Sequence, residues 1–87
     1  MNMIICSIFD VKSGLYSRPF PQQNAAVAVR GFKDEVNRQD PSNDMFKHPE
    51  DFKLYVHGYF DDTTGVISGS GMVELLITGT ECVNGSV

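Results

Sequence analysis

The stretch Phe52-Lys53-Leu54-Tyr55-Val56-His57-Gly58-Tyr59-Phe60 decides the fold. Apolar and polar side chains alternate along it, which is the period of a half-buried strand. Unbroken alternation puts Phe52, Leu54, Val56 and Phe60 on one face and Lys53, Tyr55, His57 and Tyr59 on the other. The first face needs a core. The second is open. Downstream, Asp61-Asp62-Thr63-Thr64-Gly65 has turn chemistry, and Val66-Ile67-Ser68 starts a paired strand. Gly69-Ser70-Gly71 reads as a second turn, leading into a further strand over Met72 to Thr78. The last eight residues read as a frayed tail.

Upstream, Met3 to Phe9 is apolar on both faces and suits a central strand. Asp10-Val11-Lys12-Ser13-Gly14 is a turn, with Gly14 supplying its left-handed position. Leu15 to Phe20 returns antiparallel, and Pro19 and Pro21 confine that return to an edge or end it. Gln22 to Arg38 is the only good helix. Asn24 is its N-cap, and Ala25, Val29, Phe32 and Val36 form an apolar stripe. Gln39 to Asp51 is a polar connection whose Pro49-Glu50-Asp51 end suits a helical turn. The expected architecture is α+β. An antiparallel sheet of about four to five strands carries one amphipathic helix packed on one face. Its other face is exposed or buried against a second copy.

The 87 residues make one domain, 1–87, with room for a single modest core. A chain this short buries only about 60% of its unfolded surface, so dimerisation or ligand binding would help it. No apolar run approaches the roughly 20 residues of a membrane span. The opening residues lack the pattern of a signal peptide, which points to the cytosol. The net charge is −4 but unevenly spread. Residues 1–38 carry +2, residues 39–60 carry −2, and residues 61–87 carry −4 with no base among them. An anion-binding N-terminal part beside an acidic C-terminal part fits this split. One disulfide could join Cys6 and Cys82, but free buried thiols fit a cytosolic chain better. With no CxxC and no Cys-His cluster, neither a metal nor a cofactor is expected.

Lys53, Tyr55, His57 and Tyr59 carry the strongest chemical signal. Aromatic rings spaced along a strand stack on successive unpaired bases, at about 1–3 kcal/mol each. Lys or protonated His then meets phosphate. The plainer reading is that these rings form a dimer interface, where Tyr is common. On the helix, Arg30, Lys33 and Asn37 share a face that reaches phosphates or simply faces solvent. Asp61 and Asp62 are ordinary turn residues. His48 and His57 have no nucleophile placed by spacing, and no phosphate-binding Gly loop is present. No catalytic residue is assigned.

The segments Ser7-Ile8-Phe9-Asp10-Val11-Lys12-Ser13-Gly14, Pro19-Phe20 and Ala28 to Asn37 carry a wider pattern. So does His48 to Gly65, with its Pro-x-Asp-Phe-x-Leu-Tyr, Gly-x-Phe-Asp and Thr-Gly elements. Together they resemble the small nonstructural protein of gokushoviruses, microviruses with single-stranded DNA that include the chlamydia phages. The resemblance covers residues 4–67. Residues 68–87 depart from it with a Gly-rich hairpin and strand. It implies a protein made in the host bacterial cytoplasm that acts in genome replication. The task it suggests is control of the switch from duplex replication to single-strand synthesis and packaging.

The expected activity is binding of single-stranded DNA by a homodimer or higher oligomer. Tyr55, His57 and Tyr59 would stack on bases, and Lys12, Arg18, Arg30, Lys33 and Lys53 would hold phosphates. The alternative is an interaction module without DNA contact that regulates replication or assembly through a viral or host protein. The acidic C-terminal third favours it. A scaffolding role ranks below both, because the strand content is high.

Overall fold

The computed structural model describes residues 1–83. The first strand, β1 (Asn2–Asp10), is central, as its two apolar faces require. The turn after it closes on Gly14, at φ +71°. The return then splits into two short edge strands, β2 (Leu15–Tyr16) and β3 (Phe20–Gln22). Both pair antiparallel with β1, β2 at Phe9–Asp10 and β3 at Ile4–Cys6. Between them Ser17 keeps the edge attached. Its hydroxyl accepts from the Ile8 N–H, and its own N–H donates to the Ile8 carbonyl. Pro21 sits in β3, at the edge where a missing N–H is tolerated.

The helix α1 (Ala25–Val36) starts at Asn24, whose side chain accepts from the Val27 N–H at 2.9 Å. It buries Ala28, Phe32 and Val36. Val29 is half-buried, but Ala25 is exposed. The inward stripe thus runs through Ala28 rather than Ala25, at strict i, i+4 spacing. The connection to the next strand folds into a short helix α2 (Asp44–Lys47) and a 3₁₀ turn, Pro49–Asp51. Asn43 is buried there. Its amide donates to the Glu35 and Arg38 carbonyls while its oxygen accepts from Met45 N–H, so no polar atom is stranded.

Strand β4 (Phe52–Asp61) then pairs antiparallel with β1, and β5 (Ile67–Thr78) with β4. The sheet order is β2-β1-β4-β5, with β3 beside β1. One face of the sheet carries α1. Cys6, Leu54 and Val56 from that face meet Ala28, Phe32 and Val36 in the core. The α+β fold with one longer helix over an antiparallel sheet is therefore as the sequence reads.

Two C-terminal expectations are corrected. Gly69-Ser70-Gly71 does not reverse the chain. Gly69 and Glu74 both pair with β4, opposite Gly58 and Val56, so residues 70–73 are an excursion within a single strand. The Ser70 hydroxyl tethers it by donating to the His57 carbonyl at 3.1 Å. The tail is also not frayed at its start. A helical turn α3 (Gly79–Cys82) begins at Thr78 with a reciprocal Thr78–Glu81 capping box. It delivers Cys82 into the core, and the Cys82 carbonyl accepts from the Asn37 amide at 2.8 Å. The rest of the expected tail, residues 84–87, lies outside the described residues.

Candidate functional site

Cross-strand register decides which side chains share a face, because directly paired residues project to the same side. Ile5 pairs with Gly58 but Cys6 pairs with Val56. His57 is therefore an extra residue in β4, a β-bulge. Beyond it the alternation of β4 is inverted relative to the sequence reading. Tyr55 pairs with Ser7, whereas Tyr59 pairs with Ile4, on the opposite face of β1. The expected row of Lys53, Tyr55, His57 and Tyr59 on one surface is corrected accordingly. Tyr59 lies on the helix side of the sheet, at the end away from the core, and Phe60 turns to the open face beside Met3.

The open face holds Lys53, paired with Phe9, and next to it Tyr55, paired with Ser7. Across the β1 edge, Tyr16 pairs with Phe9. Tyr16 is the hub of a ring cluster. Its centroid lies 4.7 Å from Phe9, 5.5 Å from Tyr55 and 5.2 Å from His57. The contacts to Tyr55 and His57 are edge-to-face, the favoured geometry for aromatic pairs. Tyr16 remains 45% exposed. His57 is held from below. In the tautomer protonated on Nδ1, its Nε2 accepts from the Ser7 hydroxyl, 2.5 Å away. Ser7 itself is 1% exposed, so this hydroxyl serves the ring rather than solvent.

The cations divide into two groups. Lys53 is on the open face, while Lys12 sits in the β1–β2 turn and Arg18 in the β2–β3 segment along that edge. Arg30 and Lys33 are exposed on α1, which covers the other face. The fold separates them from the ring cluster by the full thickness of the sheet.

Phe9, Tyr16 and Ser7 are site residues the sequence reading missed. The hairpin turn at Asp10–Gly14 was the available signal, since it folds Tyr16 back onto Phe9. Nothing local marked the bulge. Beside the rings a concavity of about 460 Å³ runs over Ile5, Gly58 and Gly69, bounded by Tyr16, His57 and Ile67. Both cysteines are free and buried in the core, as expected, and burial pushes both thiols above their ordinary range. Among the described residues no helix is long and apolar enough to cross a membrane.

The family described as Phage ORF5 protein matches residues 3–82. Protein ORF5 of Chlamydia phage 1 is 37% identical over 67 residues, covering 75% of this chain and 70% of that protein. No solved structure matches. The family match continues past residue 67 to the end of α3, so β5 and the Cys82 anchor fall within it.

Proposed function

We propose, from the premise that the chain belongs to the Phage ORF5 protein family, that it binds single-stranded DNA on the open sheet face. The observation that carries this reading is the ring cluster of Phe9, Tyr16, Tyr55 and His57 with Lys53 in the adjoining row. Rings on an open face accept unpaired bases, whereas a duplex keeps its bases stacked on each other. Lys53, Lys12 and Arg18 supply the phosphate contacts. With so few cations the salt dependence is shallow, about −0.7 per phosphate contacted. Its place is genome replication in the host bacterial cytoplasm, where coating a nascent strand favours single-strand synthesis over duplex replication.

The test is titration of a fluorescent single-stranded oligonucleotide at two salt concentrations, with duplex DNA as control. Preference for the single strand, weakening with salt, is the expected result. Absence of binding at low salt and high protein concentration overturns direct DNA contact.

A second reading is favoured by β5. Among the described residues it pairs only with β4 and forms a sheet edge, and it exposes Ile67 (69%) and Met72 (82%). Unpaired edges of this kind invite strand addition. In this reading the protein is an interaction module, and β5 pairs with a second copy or with a viral or host replication protein. Pairing two copies would also place two ring faces on one strand of DNA and raise avidity. Sedimentation and oligonucleotide titration of two double variants, Tyr16→Ala, Tyr55→Ala and Ile67→Lys, Met72→Lys, separate the two. DNA binding lost in the ring-face variant with self-association intact supports the first reading; wild type that binds no DNA, with association lost only in the β5 variant, supports the second.

A further inference from the structure

Rings that stack on bases account for the outer part of the open face. They leave a notch unexplained. Gly58 and Gly69 pair with each other across β4 and β5, and Ile5 pairs with Gly58 in the same row. Two neighbouring positions of that row therefore carry no side chain. Glycine inside a strand often marks a place where a ligand comes close.

The resulting concavity measures about 460 Å³, within the roughly 300–1,000 Å³ of small-molecule sites. Its walls combine the rings of Tyr16 and His57 with the aliphatic surfaces of Ile5, Pro19 and Ile67. In a chain of net charge −4 no acidic side chain lines it. Arg18, in contrast, lies between two of its lining residues, Ser17 and Pro19. The notch is also pre-formed, since the buried Ser7 hydroxyl fixes the His57 ring at its wall. A fixed wall needs no ordering when the ligand arrives.

We propose that this notch takes one unpaired nucleobase of a single DNA strand, with Arg18 meeting the adjoining phosphate. The inference deepens the single-stranded DNA reading and rests on it. The flat, apolar faces of a base match an aromatic and aliphatic slot, and its phosphate matches a cation next in the chain to two of the lining residues. The remaining bases of the strand continue past His57 and Tyr55 toward Lys53.

Gly69 offers a clean test. A Cβ added there comes no nearer than 4.0 Å to its closest neighbour, the Gly71 nitrogen, whereas one added at Gly58 runs into the Ser68 carbonyl oxygen. Gly69→Leu is expected to fill the notch while keeping the pairing of β4 and β5. Binding is measured by fluorescence anisotropy with a thymidine tract and with an abasic strand of equal phosphate number. The expected result is an affinity for the thymidine tract about tenfold weaker in Gly69→Leu, with the abasic strand unaffected.

Equal affinity of wild type and variant for the thymidine tract overturns the notch as a base site and leaves the ring-face reading standing. Failure of the wild type to bind any single strand overturns both. If Gly69→Leu melts well below wild type, Gly69→Ala replaces it, together with photo-cross-linking of a 4-thiothymidine strand to the wild type. Cross-links at Pro19 or Ile67 support the proposal. Cross-links confined to the ring cluster or to α1 overturn it.

Discussion

A methyl group at position 58 has nowhere to go, because it would meet the backbone carbonyl of Ser68 on β5. Gly58→Ala is expected to destabilise the protein by about 1–3 kcal/mol, since backbone on both strands must part to admit it. Gly69→Ala, directly opposite, is expected to stay within about 0.5 kcal/mol of wild type. Urea denaturation of the two variants side by side checks both statements. Equal losses would mean that crowding at Gly58 is not what separates them. Thr78→Ala removes the capping box of α3 and is expected to cost about 1 kcal/mol in the same measurement. Residues whose role is local were readable from sequence. Asn24 caps α1 and Gly14 closes its turn because each answers to the backbone beside it. Gly58 was not readable, for its constraint comes from a strand ten residues further along the chain.

Among elements, β4 matters most, and the bulge at His57 determines what it displays. One extra residue inverts the facing of everything beyond it. Tyr55 and Tyr59 thereby part company. Tyr55→Ala is expected to weaken single-stranded DNA binding about tenfold, while Tyr59→Ala leaves it unchanged. Titration of an oligonucleotide with each variant decides the matter, and equal losses would return Tyr59 to the binding face. Lys53→Ala is expected to reduce the salt slope by about 0.7, and the Arg30→Ala, Lys33→Ala double variant to leave it intact. A change in slope for the helix variant would place DNA on α1. The existence of β4 and α1 was legible because hydrophobic period and capping agree there. The bulge was not, since alternation continues past His57 without interruption and only the neighbouring Gly58 departs from the pattern. The single strand β5 was hidden for a related reason. Gly69-Ser70-Gly71 carries the chemistry of a reversing turn, and only pairing of both flanks with β4 makes it an excursion.

Across the whole molecule, one core joins the sheet to α1 and α3, and both cysteines lie in it. Burial holds their thiols protonated beyond the ordinary value of 9.0. The unfolded chain ionises first, so it binds fewer protons than the folded chain above that pH. Stability is therefore complete below about pH 9 and falls as pH rises through the raised folded values. Thermal melts at increasing pH are expected to show this decline, and Cys6→Ala to flatten it. A decline equally steep in the variant would assign it to other groups. The two-layer arrangement was legible because the apolar face of the helix and that of the strand call for each other. The anchoring of α3 was not, because Cys82 gains its place only from distant partners such as Asn37. The central position of β1 has a consequence in time. β1 is made before α1 and the long connection, and its main partner β4 after them. The core closes only when Cys82 arrives. At roughly 5–20 residues per second of translation, β1 waits several seconds with both apolar faces bare. A nascent chain stopped before α3 is expected to be cut by protease faster than one that includes it, and limited proteolysis of stalled chains checks this.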